Sequence, residues 1–228
     1  MKSLSARGVI SKRLLVNLRA DADAVTRFLP EEFTPLTVNG SAIVGCCAIE
    51  LRDMRPSAVP LPIGAHTVNV AHRVAVEHAG RPGMWIPRRV SSSRISQLVG
   101  GRAFPGVHSA AAIDFGDEPD VELRVSNSNG FDVALTTTPI TTWPPGSVFG
   151  DAEEATDFYR AASHGWSPRR RADQMDVVRL DAGTWTVEAH ALTSLTTEFW
   201  STALPRDAWE PDVSLVVRDL PHTWRSVA

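Results

Sequence analysis

Short apolar runs with a two-residue rhythm, broken by clusters of turn residues, set the tightest limit on how this chain can fold. In residues 67–78, Val68, Val70, Val74 and Val76 mark one side, while Asn69, Arg73 and Glu77 mark the other, with His72 or Ala71 completing it. Such alternation describes a strand with two unlike faces. His78-Ala-Gly-Arg-Pro-Gly83 is turn chemistry, and residues 84–90 resume a strand pattern, so the segment predicts a hairpin. Similar stretches occur at residues 13–18, 41–51, 110–115, 121–126, 131–138, 177–180, 184–192 and 212–217. Asp114-Phe-Gly-Asp-Glu-Pro-Asp120 and Asn127-Ser-Asn-Gly130 supply turns between them. Residues 21–29 predict a short helix with an acidic start, stopped by Pro30, and residues 151–162 a second helix carrying the only tyrosine, Tyr159. No fixed-period repeat or linker divides the chain. The expectation is a mainly β (α+β) single domain over residues 1–228, a barrel or curved sheet with two or three peripheral helices.

Composition narrows the function classes. With 228 residues, 43% of them hydrophobic, the chain can bury a sizeable core. No stretch reaches the roughly 18 uninterrupted apolar residues of a membrane span. The start, Met-Lys-Ser-Leu-Ser-Ala-Arg-Gly, lacks the apolar core of a signal peptide, and cytoplasmic residence is the expectation. The net charge is −3, and the one dense basic run, Pro168-Arg169-Arg170-Arg171, reads as a solvated turn, which argues against nucleic-acid partners. Arginine far outnumbers lysine, with Lys2 and Lys12 the only two lysines, a bias typical of high-GC bacterial genomes. Cys46 and Cys47 are adjacent, so in a strand they point to opposite faces and suit neither a disulfide nor joint metal ligation; buried free thiols are expected. No metal site is expected. The seven histidines form no His-Glu-x-x-His helix, and His66, His72 and His78 would lie too far apart along one strand. No glycine pattern fits a phosphate loop, so no cofactor is expected.

The segment Gly100-Gly-Arg-Ala-Phe-Pro-Gly-Val-His-Ser-Ala110 resembles the Gly-Arg-Glu-x-x-x-(aromatic)-Pro-Lys stretch of acetoacetate decarboxylases. Leu18-Arg-Ala-Asp21 and Phe28-Leu-Pro-Glu-Glu-Phe33 are similar to the opening of that family, and the hairpin from Asn69 to Trp85 to its central hairpin. Leu195-Thr-Thr-Glu-Phe-Trp200 and Leu220-Pro-His-Thr-Trp224 resemble signatures of a largely uncharacterised branch of the superfamily. The resemblance implies a β-barrel-like fold with an internal pocket, and commonly a homo-oligomer; activity does not transfer with fold. Within it, Ser109 stands at the Schiff-base lysine position, Ala103 replaces the glutamate after Gly-Arg, and Asn69 falls near the catalytic carboxylate position. The substrate-positioning arginine falls near Ser11, with Arg13 one strand period away on the same face. A Schiff base needs a desolvated amine, and a guanidinium stays protonated, so Schiff-base decarboxylation is excluded.

Several residues could still do chemistry. His108 can transfer protons near neutral pH, or serve as a structural histidine bonded to backbone. Ser109 can hydrogen-bond a substrate oxygen or merely fill space. Asn69 can polarise a carbonyl or enolate oxygen. His66 either reaches the same pocket mouth or is an exposed loop histidine. Arg102 either binds a carboxylate or holds its own loop. In residues 184–190, alternation puts Thr184, Thr186, Glu188 and His190 on one face; if that face lines a barrel, Glu188 and His190 form an acid/base pair, and if it faces solvent they mean nothing. The leading expectation is a cofactor-independent enzyme on the acetoacetate decarboxylase-like scaffold, of lyase or isomerase type. It would act on a small carbonyl-bearing, polyketide- or keto-acid-like metabolite by dehydration, cyclisation, isomerisation or a non-Schiff-base lyase step, in bacterial secondary metabolism. His108, Asn69, Ser109 and Glu188 are its candidate catalytic residues; Arg102, His66, Arg13 and His190 its candidate substrate-binding residues. The competing expectations are a small-molecule-binding protein that keeps the pocket and a structural oligomer.

Overall fold

The 67–78 alternation becomes strand β5 (Ala65–His78), and the run after the turn becomes β6 (Arg81–Ser91). Between them Ala79 and Gly80 both take positive φ, 50° and 73°, the two-residue mirror-image turn whose twist matches that of a hairpin. This computed structural model describes residues 5–58, 64–92, 108–117, 120–127, 132–169 and 175–227. Around the hairpin are β1 (Ser5–Ala20), β2 (Thr34–Pro35), β3 (Thr37–Val38) and β4 (Ser41–Pro56). Then come β7 (His108–Ala110), β8 (Ala112–Phe115), β9 (Val121–Ser126), β10 (Val133–Pro139), β11 (His164–Pro168) and β12 (Met175–Ala182). The chain ends with β13 (Glu188–Thr197), β14 (Trp209–Pro211) and β15 (Ser214–Val227). Helices α1 (Ala22–Phe28), α2 (Ala152–Ala161) and α3 (Glu198–Ala203) complete the described elements.

Strands β1, β4, β5, β6, β11, β12 and β15 follow one another by hydrogen bonding, and β15 pairs back with β1, which closes a barrel. Closure removes the exposed strand edges that an open sheet would present. From the first half of β15 a second run, β13–β10–β9–β8, extends over the outside of the wall. Helices α1 and α2 sit where their sequence signals put them, whereas α3 was not signalled and its N-cap Thr197 makes no side-chain cap bond. Asp21 caps α1 by accepting from the Ala24 N–H at 2.7 Å, and Asp151 caps α2 by accepting from the Glu154 N–H at 2.8 Å.

Both faces of the wall carry buried apolar clusters, but on β5 the two faces are unlike. Val70, Val74 and Val76 of β5 point outward, as do Leu14, Val16 and Leu18 of β1. The outer apolar surface is covered by α1 and α3 on one side and by β9 and β10 on the other. Burying large apolar side chains such as Trp200 between these layers stabilises by about 1.5–3 kcal/mol each. His72 lies on this outer face, stacked on Phe199 with ring centroids 4.2 Å apart, so Ala71 takes the inner position. The polar side of β5 therefore faces into the barrel.

The strands run further than their alternation indicates. The 13–18 stretch is the middle of a sixteen-residue strand, and 212–217 begins a fourteen-residue one. The cause is a break in phase. β1 shifts register against β4 between Ile10 and Lys12, and Asp219 in β15 takes a positive φ of 47°. Ile10 and Leu220 consequently join the same interior cluster as Leu15 and Val217, although parity would separate them. The 184–192 stretch also moves: β13 starts at Glu188, while Trp185 packs into the interior cluster instead of extending a strand.

Candidate functional site

Register fixes what lines the barrel. Asn17, Gly45 and Arg73 form one cross-strand row, Leu15, Cys47, Ala71 and Arg89 the next, and Arg13, Ile49, Asn69 and Ser91 a third. Directly paired residues share a face, so three guanidinium groups share this interior. Gly45 takes φ +148° beside Val16, where any Cβ would meet the Val16 carbonyl oxygen. That glycine lets β1 and β4 approach closely opposite Arg73.

Helix α2 closes one end of the barrel. Its Tyr159 hydroxyl donates to Asn17 Oδ1 at 2.5 Å, and Arg73 Nη2 donates to the same oxygen at 2.6 Å. Asn17 in turn donates from Nδ2 to the Val213 carbonyl at 2.8 Å, which fixes the orientation of its amide. The Arg73 guanidinium also lies over the Tyr159 ring, 4.7 Å from its centroid. Arg73 is only 3% exposed, yet it forms no ion pair among the described residues, and its Nε lacks a hydrogen-bond partner there. Burial pushes the Tyr159 hydroxyl pKa up, with Arg73 opposing, so the phenol stays a proton donor.

Cys47 is central to this group. Its Sγ accepts from Arg13 Nε at 3.4 Å, and its cross-strand row runs through Ala71 to Arg89. Arg89 donates to Ser167 Oγ at 2.7 Å, and burial lowers its pKa to about 10. Asp176 accepts from Arg169. Further along β15, level with Gly8 of β1, His222 is 5% exposed and reaches no well-formed hydrogen bond at either ring nitrogen. Burial pushes its pKa down to about 4, partly opposed by the Leu220 backbone, with the Arg13 charge adding to the depression. His222 is therefore neutral at pH 7.

The residues singled out from sequence separate into three groups. Arg13 and Asn69 lie on the inner face, with Asn69 Nδ2 donating to Thr67 Oγ1 at 2.9 Å. His108 of β7 is level with Arg89 on β6, whereas Ser109 is level with Val90, whose side chain belongs to the outer cluster. Ser109 thus takes the outward register. His66 is 63% exposed and sits 2.8 Å from Glu50, an exposed pair at the start of β5. Glu188 and His190 do share a face and lie 4.0 Å apart, but they pair with Val216 and Ser214 outside the wall. Glu188 there meets Arg218 at 3.3 Å, while His190, 1% exposed, bonds Thr137 Oγ1 through Nδ1 at 3.1 Å. Arg102 lies outside the described residues. Arg73, Arg89, Cys47, Tyr159, Asn17 and His222 emerge only with the fold. The polar side of residues 67–78 signalled Arg73, but nothing in the sequence brings it to Tyr159.

Burial pushes the Lys12 pKa down, yet the amine points away from the interior. Its Nζ donates to the carbonyls of Phe115 and Gly116 at 3.1 and 3.0 Å, lies 3.9 Å from the Phe115 ring centroid and is 3.7 Å from Asp117. Those contacts occupy the amine. Among the described residues no three His, Cys, Asp or Glu side chains gather as a metal site would require.

This architecture is that of acetoacetate decarboxylase-like proteins. The crystal structure of acetoacetate decarboxylase from Legionella pneumophila superposes with a TM-score of 0.63 at 15% identity, covering 98% of this chain and 87% of that one. An acetoacetate decarboxylase-like enzyme from Sphingomonas wittichii RW1 gives 0.60 at 17% identity, covering 99% and 91%. The enduracididine biosynthesis enzyme MppR, complexed with pyruvate, gives 0.57 at 14% identity, covering 98% and 88%. No curated protein matches the sequence significantly. A family model does match, over residues 9–214, and the chain belongs to that family, DUF2071, described as an uncharacterized conserved protein.

Proposed function

We propose that this protein is a cofactor-independent enzyme that takes a small keto-acid-like anion into the barrel and performs acid/base chemistry at its carbonyl. The observation carrying this reading is Arg73: a guanidinium 3% exposed, without an ion-pair partner among the described residues, in an interior it shares with Arg13 and Arg89. A buried charge without a counter-charge is unfavourable by several kcal/mol, and a carboxylate ligand offsets that cost through charge-assisted hydrogen bonds. Asn69, on the row above Cys47, polarises the carbonyl oxygen, and His108 beside Arg89 exchanges the proton at the adjacent carbon. The reaction is a dehydration, cyclisation, isomerisation or lyase step without a Schiff base, since Lys12 is engaged outside the wall. MppR, complexed with pyruvate and with a pyruvate–imidazole 4-carboxaldehyde condensation product, supports a keto-acid ligand and a place in bacterial secondary metabolism. A cytoplasmic homo-oligomer is part of the same proposal.

The test pairs calorimetric titration with pyruvate and turnover assays on small keto acids. His108→Ala and Asn69→Ala should lose turnover while largely keeping affinity. A protein that binds pyruvate but turns over no keto acid is the non-catalytic binder. Failure of any small carboxylate to bind would refute the reading.

A further inference from the structure

The inner wall of the barrel keeps accessible surface in mid-strand, and most of that surface is apolar. Arg13, Ile49, Asn69 and Ala71 are each only half-buried, whereas their outward neighbours Leu14, Ala48 and Val70 are at most 1% exposed. The outer face is sealed there, so the accessible part of these residues lies on the inside. Val187 and Ala189 are likewise half-buried and pack against the interior cluster. We propose that the ligand is a keto acid bearing a branched or aromatic apolar chain, rather than pyruvate itself. This rests on the keto-acid reading above and names its substrate class.

Two polar groups on this surface hold one end of the ligand. Arg13 donates from Nε to Cys47 Sγ and forms no ion pair among the described residues, so its Nη groups are left for a carboxylate. Arg73 and Arg89, on the rows beyond, reinforce the positive field. Asn69 stands on the row of Arg13, two strands away across Ile49, and spends one of its two amide hydrogens on Thr67. Neighbouring strands lie about 4.8 Å apart, so the two backbones are separated by about 10 Å. The long arginine side chain shortens that gap to the span of a carboxylate and its adjacent ketone. The rest of the ligand meets hydrocarbon. Both cross-strand neighbours of Arg13 are apolar, Ile49 and Val217, where a hydroxylated substrate would call for hydrogen-bonding groups. The Arg13 guanidinium itself lies 5.8 Å from the Trp185 ring centroid. A pyruvate methyl covers little of such a wall, whereas each further carbon taken out of water is worth about fourfold in affinity.

Calorimetric titration of the full-length protein with pyruvate, phenylpyruvate and 4-methyl-2-oxopentanoate reads the preference without any variant. At least one of the two bulky acids should bind about tenfold or more tighter than pyruvate. The ketone 4-methylpentan-2-one, which lacks the carboxylate, should bind at least about tenfold more weakly than the matching acid. Ala71→Leu puts hydrocarbon of the protein's own into the space and should bring the bulky acids down to the pyruvate affinity, with pyruvate binding unchanged. If that variant folds poorly, the ligand series still decides. Pyruvate binding as tightly as both bulky acids overturns the apolar chain and leaves the keto-acid reading intact. Equal binding of the ketone and its acid, or undiminished bulky-acid binding in folded Ala71→Leu, overturns the placement proposed here. Absence of binding by all three acids overturns this inference and the keto-acid reading together.

Discussion

Replacing Arg73 by methionine separates a ligand-binding charge from a structural one. The guanidinium's favourable contacts are few. One short charge-assisted hydrogen bond to Asn17 Oδ1, at 2.6 Å, contributes about 1.5–3 kcal/mol. The face of Tyr159, 4.7 Å away, adds about 1–2 kcal/mol. The approaches to the Val16 carbonyl at 3.4 Å and Met84 Sδ at 3.8 Å are long and add little. Against these stands the cost of holding an ion out of water without a counter-charge, several kcal/mol. Methionine fills a similar volume with an apolar, adaptable chain. Asn17 Oδ1 is not orphaned by the change, because the Tyr159 hydroxyl still donates to it at 2.5 Å. The two sides nearly cancel. Arg73→Met should therefore leave the ligand-free protein about as stable as the wild type, or up to about 3 kcal/mol more stable. For a chain of this size each kcal/mol moves the melting temperature by about 2–4 °C. Pyruvate affinity should fall at least about tenfold, a loss of about 1.4 kcal/mol. Urea denaturation with and without pyruvate, and calorimetric titration, read both quantities. A loss of about 3–5 kcal/mol in the absence of ligand would refute the reasoning, because that is the signature of breaking a compensated buried pair. Arg73 would then already own an anion within the fold.

Three further outcomes follow from the geometry. His222 and His72 have folded pKa values pushed down to about 4 and about 3, below the unfolded value of 6.5, so unfolding takes up protons in acid. The stability they contribute is fully present above pH 6.5 and is lost as pH falls towards 4, on the order of 3 kcal/mol for His222 alone; acid melts of His222→Gln should be flatter over that window. Gly45→Ala should cost about 3 kcal/mol or prevent folding, because its Cβ would strike the Val16 carbonyl while the backbone holds φ at +148°; a wild-type denaturation midpoint would show that β1 can give way. Lys12→Met strips the donor from two backbone carbonyls and should destabilise by about 2–4 kcal/mol, while borohydride with a keto acid should leave Lys12 unmodified in the wild type. Trapping at Lys12 would overturn the structural assignment of that amine.

The local rules of this chain were legible before any tertiary contact was known. The 67–78 alternation, the Ala79–Gly80 turn, and the acidic caps Asp21 and Asp151 are short-range matters of dihedral preference and side-chain period, and each operates within a few residues. That Ser109 stands where the resembled family carries its lysine is likewise a local matter, read from one short segment. Alternation separates two faces but carries no sign that says which one is inside. Here closure through the β1–β15 pairing turns the arginine-bearing face inward, and the outer helices and strands cover the valine-bearing face. The same ambiguity explains Glu188 and His190, which share a face as alternation requires, but on the outside of the wall. Breaks of phase at Ile10–Lys12 and Asp219 extend the concealment, because they let residues of opposite parity meet in one core. The site itself joins Asn17, Cys47, Arg73 and Tyr159 from four separate elements, so no window of sequence contains it. The sequence by itself determined where strands and turns form; only the tertiary structure decided that Arg13, Arg73, Arg89 and Cys47 share one interior, because that depends on pairing between distant strands.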